Sequence, residues 1–180
     1  MTGSISVHGK IFEQFITADE IKEAVIDLAE KLNAVYSSDD PPLLLGILNG
    51  SFIFMADLIR ELRFECTVQF IRIESYQGMT TTGVVKMEAD VAKKWEGKHI
   101  IVIEDIVDTG HTMNRFVPVL SSHNPKSVFV TALLFKEAAL EVAVHLDHYC
   151  FNIPKVFVLG YGLDYDGLGR NLPEIYRLKE

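Results

Sequence analysis

Two adjacent carboxylates, Glu104 and Asp105, stand just ahead of Asp108-Thr109-Gly110-His111-Thr112 in the segment IIVIEDIVDTGHTM, residues 100–113. Carboxylates accept hydrogen bonds from a vicinal diol and ligate hard cations such as Mg²⁺. Asp108-Thr109-Gly110 supplies a turn former, a hydroxyl donor and a residue that tolerates positive φ and close backbone approach. Together these groups suit a ligand that is anionic at one end and hydroxylated or metal-bound at the other, and a sugar phosphate meets both conditions. On these residues alone a plainer reading stays open, in which two acids end a strand and Asp-Thr-Gly makes an ordinary turn.

The elements that must position these groups are legible on either side. The β-branched apolar run from Ile100 reads as a strand buried on both faces, as in a parallel sheet, that stops at the two carboxylates. Beyond the loop, Met113, Phe116, Val117 and Leu120 fall on one face of a helix whose first N–H groups lack intrahelical partners. In open α/β sheets that junction binds ligands, and the helix N-terminus is an anion seat. Pro118 cannot donate to the Asn114 carbonyl and predicts a kink or early fraying.

A second such unit comes earlier: strand Leu43 to Leu48, the turn Asn49-Gly50-Ser51, then a helix carrying Phe52, Met55, Leu58, Ile59 and Leu62. Before it, Thr17 and Glu20 form a capping box for a helix with the stripe Ile21, Val25, Leu28 and Leu32, and an irregular arm precedes that helix. Cys66 to Glu74 alternates as a third strand. The polar stretch Ser75 to Gly83 that follows is either a lid or a hairpin loop. Ser127 to Phe135 is the next apolar strand, with Lys136 at its end, either solvated or facing the ligand crevice. Glu137 to His148 reads as an irregular connection ending in a strand, Val156 to Leu159 as a short strand, and Gly160 to Gly169 as a turn-rich loop.

Composition narrows the partners. The chain has 180 residues, 48% of them apolar, which suits one domain with a sizeable core. Its net charge of -8 argues against nucleic acid, whose footprint is a clustered basic face. The densest basic group, Lys93, Lys94 and Lys98 around Trp95, reads as a solvated turn. Cys66 and Cys150 make no CxxC pattern and read as buried free thiols, and His145 with His148 lacks a third metal ligand. The N-terminus, MTGSISVHGK, lacks an apolar stretch of signal-peptide length and no run approaches the roughly 20 residues of a membrane span, so the expectation is a cytoplasmic protein with no membrane partner.

VIEDIVDTGHTM resembles the phosphoribosyl-diphosphate (PRPP) binding motif of type I phosphoribosyltransferases, in the form typical of hypoxanthine-guanine phosphoribosyltransferases. The block IPKVFVLGYGLDYDGLGRNLPEIY resembles the C-terminal segment of the same family, VTALLFK matches its base-recognition lysine, and Ser75-Tyr76 matches its flexible catalytic loop. The likeness runs from Leu43 to the C-terminus.

It implies an α/β fold, a mostly parallel central sheet flanked by helices, with a small hood from the terminal segments. As one domain over 1–180, the core spans about 17–150 and the hood about 1–16 and 151–180. It further implies transfer of the 5-phosphoribosyl group from PRPP to N9 of hypoxanthine or guanine, giving IMP or GMP and pyrophosphate, a reaction of purine salvage. The partners implied are PRPP, the 6-oxopurine, pyrophosphate, the purine nucleotide, Mg²⁺ and further copies of the chain in a homodimer or homotetramer.

The resemblance assigns PRPP ribose and phosphate to Glu104, Asp105, Val107, Asp108, Thr109, Gly110, His111 and Thr112, with Asp108 the proton acceptor at N7. Pyrophosphate falls to Leu48, Asn49, Gly50 and Arg170, the loop presenting its amides through a non-proline cis peptide between Leu48 and Asn49. Many relatives carry Lys where this chain has Asn49. The purine falls to Lys136, Phe157, Val158 and Asp164, and the metal to Glu104, Asp105 and Asp164. Three other readings stay in view: a xanthine-preferring relative, a nucleotide-binding regulator on the same fold, and a response-regulator-like acidic pocket that accepts phosphate.

Overall fold

The computed structural model describes residues 3–73 and 94–179. The chain opens with β1 (Ser4–Val7) and β2 (Lys10–Ile16), an antiparallel hairpin where the sequence suggested an irregular arm. Its two-residue turn, His8-Gly9, has positive φ at both positions (48° and 75°), the geometry that matches strand twist. Next is α1 (Ala18–Val35), whose capping box is formed: Glu20 N–H donates to Thr17 Oγ1 at 3.2 Å and Thr17 N–H to Glu20 Oε2 at 2.8 Å. Ile21, Val25, Leu28 and Leu32 are all buried on one stripe.

β3 (Leu43–Leu48) leads into α2 (Phe52–Glu61), where Phe54, Met55 and Leu58 are buried. Phe52, read as core, is 41% exposed at the helix start, and Phe54 takes the inward position. β4 (Thr67–Arg72), β5 (His99–Val107), α3 (His111–Ser121) and β6 (Ser127–Phe135) follow. A single 3₁₀ turn, Glu137–Ala139, opens the irregular connection to β7 (His148–Asn152). β8 is shorter than the apolar run suggested, only Val158–Leu159, and β9 (Ile175–Leu178) closes the chain. Helix α3 continues past Pro118 to Ser121 rather than fraying at it, and Ser122 N–H donates to the Pro118 carbonyl at 3.0 Å.

Two sheets result. The larger has the order β4-β3-β5-β6-β7 with every pair parallel, and the smaller, β1-β2-β9-β8, is antiparallel and joins both ends of the chain. Period-two alternation sends successive residues of the central strands to opposite faces. Leu44, Ile101 and Ile103 meet α1 and α2 on one side, while Leu45, Ile100 and Val102 meet Met113, Phe116 and Leu120 of α3 on the other. A sheet covered on both faces needs continuous apolar runs, which is the pattern read from the sequence.

Trp95 overturns one reading. The turn expected to be solvated buries this ring completely, edge-to-face with Phe116 at 6.2 Å and with Nε1 donating to Gln69 Oε1 at 3.2 Å. Among the described residues Cys66 and Cys150 are free, and burial pushes the Cys150 thiol up to about 12, so it is inert packing. No helix among the described residues is long and apolar enough to cross a membrane. Trp95 is the only tryptophan. Native fluorescence should therefore be blue-shifted and insensitive to iodide, moving red only on unfolding in urea. Water-like emission from the native protein would contradict this packing.

Candidate active site

β5 does not end at the acidic pair. The ladder with β6 runs through Glu104, opposite Ala132, to Val107, opposite Phe135, so the carboxylates sit within the last turn of pleat rather than beyond it. Glu104 points into the protein, 7% exposed, and its Oε2 has no hydrogen-bond partner. Burial, and then the neighbouring Asp105, hold the Glu104 carboxyl well above the usual carboxylate range. Asp105 is half-buried, and its Oδ1 accepts from the Ile106 N–H at 2.9 Å.

Two backbone approaches bring distant loops onto Asp105. A Cβ on Gly50 would land inside the Asp105 carboxylate, so the 48–50 loop lies flush against it. Gly162, in the β8–β9 connection, lies in turn against the Gly50 carbonyl, which a Cβ there would meet at 2.1 Å. Arg170 donates through Nη1 to the Gly162 carbonyl at 2.6 Å and pairs through Nη2 with Asp164 Oδ1 at 2.5 Å. The other Asp164 oxygen accepts from the Gly167 N–H at 2.7 Å. Leu48-Asn49-Gly50, Asp105, Asp164 and Arg170 thus form one chain of contacts, and the Leu48–Asn49 peptide is cis.

Arg72 was not singled out from the sequence. It lies opposite Leu48 in the β3–β4 register, and its Nη2 donates to Asn49 Oδ1 at 2.9 Å. A cation therefore reaches this loop from the neighbouring strand, although position 49 itself carries none. In the sequence Arg72 looks like any exposed charge on an alternating strand, and only the parallel register reveals it.

The loop after β5 forms the second group. Lys136 is 6% exposed, its N–H donates to the Val107 carbonyl at 2.9 Å, and its Nζ donates to Asp108 Oδ2 at 2.7 Å. Gly110, with φ of 87°, ends the loop as the N-cap of α3. A cavity of about 90 Å³ lies along Glu104, Val107, Asp108, Thr109, Gly110 and Thr112. The 140–144 connection holds this loop from outside: Glu141 N–H donates to the Thr109 carbonyl at 3.0 Å, and His111 Nε2 meets Glu141 Oε2 at 2.9 Å.

That connection also corrects the role of Gly110. A Cβ there would stand 2.6 Å from Val144 Cγ2 and 2.9 Å from the Val142 carbonyl, so packing against this connection by itself requires the glycine. Any larger residue strains the fold itself. Phe157 is 45% exposed and contacts the Phe12 and Tyr165 rings, while Val158 is buried and paired with Arg177. Ser75 and Tyr76 lie outside the described residues.

A parallel sheet wound on both sides by helices, with carboxylates, a cation and a helix N-terminus at its carboxyl edge, is an α/β arrangement suited to a phosphorylated ligand. Comparison with known proteins makes this specific: residues 14–166 match the family described as phosphoribosyl transferase domain, and the chain belongs to that family. It is 35% identical to a hypoxanthine-guanine phosphoribosyltransferase of Aquifex aeolicus over 97% of this chain and 98% of that one. To the enzyme of that name from Dictyostelium discoideum it is 39% identical, over 93% and 96%. Hypoxanthine phosphoribosyltransferase from Staphylococcus aureus superposes with a TM-score of 0.83 at 33% identity, covering 93% of this chain and 91% of that one. A ternary substrate complex of the Trypanosoma cruzi enzyme gives 0.84 at 34%, over 92% and 94%.

The buried acid yields a prediction for the metal-free protein. A carboxyl whose folded value is raised binds its proton more tightly folded than unfolded, so ionising it as pH rises above the ordinary carboxylate value, about 4.3, draws the chain toward unfolding. Glu104→Gln, in chelator, should melt above wild type at pH 7 to 8, with the margin closing as pH falls toward 4. Equal melting temperatures across that range would show that Glu104 is not strained by burial.

Proposed function

We propose that the chain is a purine salvage enzyme that transfers the 5-phosphoribosyl group of PRPP to N9 of hypoxanthine or guanine, releasing pyrophosphate with IMP or GMP. The observation that carries this reading is the Lys136–Asp108 pair, an ammonium donor 2.7 Å from a carboxylate acceptor. A 6-oxopurine protonated at N7 presents the complement along one edge, a carbonyl acceptor at position 6 beside an N–H donor at position 7. Adenine offers an amino donor at position 6, and an ammonium cannot accept.

The rest of the site supports the same chemistry. Breaking the bond to pyrophosphate leaves positive charge on the ribose ring and negative charge on the leaving group. The amides of Val107 to Thr112 at the α3 N-terminus suit the 5-phosphate and fix the sugar in line, and Glu104 and Asp105 suit the ribose hydroxyls. The Leu48-Asn49-Gly50 amides and Arg170 suit the pyrophosphate, and Arg72 beside Asn49 adds a further cation. Phe157 has an exposed ring for the purine to stack on, and Val158 backbone groups border its position-2 edge. As N9 attacks, the N7 proton passes to Asp108, which a neighbouring ammonium keeps oriented.

The donor set fits Mg²⁺. Glu104 Oε2 is buried without a partner, Asp105 adjoins it, and both are hard oxygen ligands. No trio of acidic, His or Cys ligands is preassembled among the described residues. That suits an ion held by one or two carboxylates and completed by substrate oxygens, with Asp164 the further carboxylate at hand. Glu104, Asp105 and Asp164 would hold the ion, which supplies charge neutralisation for the departing pyrophosphate.

The test is PRPP-dependent nucleotide formation with hypoxanthine, guanine, xanthine and adenine. Hypoxanthine and guanine should be used and adenine rejected by at least tenfold in kcat/KM, since an unmade hydrogen bond to a charged group costs about 1.5 to 3 kcal/mol. Lys136→Gln should narrow the hypoxanthine-to-adenine gap while sparing PRPP affinity. Asp108→Asn should lower kcat by roughly 10² to 10⁴. Adenine used as well as hypoxanthine would overturn the reading, and xanthine preferred to both oxopurines would redirect it to a xanthine enzyme.

A further inference from the structure

Tyr161 is unusual on three counts, none of which the chemistry above uses. Its backbone is in the left-handed region, φ 48°, where a non-glycine residue is uncommon. Its ring leaves the hood loop and is buried to 5% exposure against the α1–α2 core. Its hydroxyl donates to Asp57 Oδ2 of α2 at 2.7 Å, while the other Asp57 oxygen accepts from Arg60 Nη1 at 3.0 Å. Burial, with Asp57 beside it, raises the phenol above its ordinary value, so the hydroxyl stays a donor at working pH.

The ring also lines a cavity of about 440 Å³ between α1, α2 and the hood, walled by Ile21, Val25, Ile53 and Leu172. Empty space on one side means that packing alone does not fix the depth of the ring. Beside the Tyr161 N–H to Leu172 carbonyl bond at 2.8 Å, the hydrogen bond to Asp57 is the polar contact that ties this residue to α2. The position matters because the next residue is Gly162, whose backbone lies against the Gly50 carbonyl and whose own carbonyl accepts from Arg170. Gly162 N–H in turn donates to the Arg170 carbonyl at 2.9 Å, so Tyr161, Gly162, Arg170 and Asp164 are joined in one run of contacts.

We propose that the Tyr161–Asp57 hydrogen bond pins the hood loop at its working height over the 48–50 loop, which makes Tyr161 a positioning residue for the pyrophosphate end of PRPP. This rests on the phosphoribosyltransferase reading. Loss of the pin lets Gly162 lift from Gly50 and carries Arg170 away from the pyrophosphate. The purine edge, read by Lys136 and Asp108 from the central sheet, stays in place.

The test is steady-state kinetics on Tyr161→Phe, Asp57→Ala, Asp57→Asn and the Tyr161→Phe/Asp57→Ala pair, with melting temperatures alongside. KM is read for PRPP in the forward direction, for pyrophosphate in reverse, and for hypoxanthine. Tyr161→Phe and Asp57→Ala should raise KM for PRPP and pyrophosphate roughly three- to tenfold, the share of one hydrogen bond to a charged group that reaches the ligand. KM for hypoxanthine should rise clearly less than KM for PRPP and pyrophosphate. Asp57→Asn keeps a carbonyl acceptor and should behave as wild type, and the double variant should be no worse than either single one. Unchanged KM for PRPP in an active Tyr161→Phe protein overturns the inference, as do an equal rise for hypoxanthine or an Asp57→Asn defect as large as that of Asp57→Ala. Those results leave the functional reading standing; wild type without PRPP-dependent turnover defeats both.

Discussion

The parallel register between β5 and β6 is the constraint on which the site depends. Val107 lies opposite Phe135, so the two strands run out together and release Asp108 and Lys136 side by side. The Lys136 N–H to Val107 carbonyl bond locks that exit before any side chain meets. A slip of one residue would turn every side chain of a strand to the other face, driving Ile101 and Ile103 from the α1–α2 side into the α3 side and separating the ion pair. Because the core on both faces fixes this register, the ammonium and carboxylate are held at hydrogen-bond distance without help from a ligand. Packing of apolar residues thereby sets the spacing of this ammonium and carboxylate.

A second constraint is the absence of side chains where three loops meet. The 48–50 loop rests on Asp105 and the hood loop rests on Gly50, each approach closing a space that a Cβ would fill. Residues separated by more than a hundred positions therefore form one continuous wall. Next in sequence to Asp105 is a carboxyl that is costly to bury: Glu104 has an oxygen with no partner and a raised affinity for its proton. Such local cost is expected where a fold keeps groups ready for a ligand in preference to satisfying them internally.

Much of this was legible in the sequence, for identifiable reasons. β3 and β6 coincide with their apolar runs, Leu43 to Leu48 and Ser127 to Phe135, because central parallel strands need apolar residues on both faces and turn residues bound them. The capping box of α1 was local and fully specified by Thr17 and Glu20. What escaped were features set across the chain. β1, β2 and β9 are short, mixed in polarity and stabilised by pairing residues near 13 with residues near 177. β5 passes through Glu104 because its partner strand continues, although two acids in a row look like a terminus. Trp95 was masked by its lysine neighbours. The carboxylates, Lys136 and the Asp-Thr-Gly loop were readable as site candidates, whereas the contact of Arg72 with Asn49 and the packing duty of Gly110 exist only in three dimensions.

The central claim is that Lys136 and Asp108 act as one donor-acceptor pair on the edge of a 6-oxopurine. The most direct measurement is a crystal structure with hypoxanthine, Mg²⁺ and a non-reacting PRPP analogue. The expected result places O6 about 2.7 to 3.2 Å from Lys136 Nζ and N7 at similar reach of Asp108, with N9 facing the ribose. A purine seated with its O6 and N7 edge turned away from both residues would contradict it.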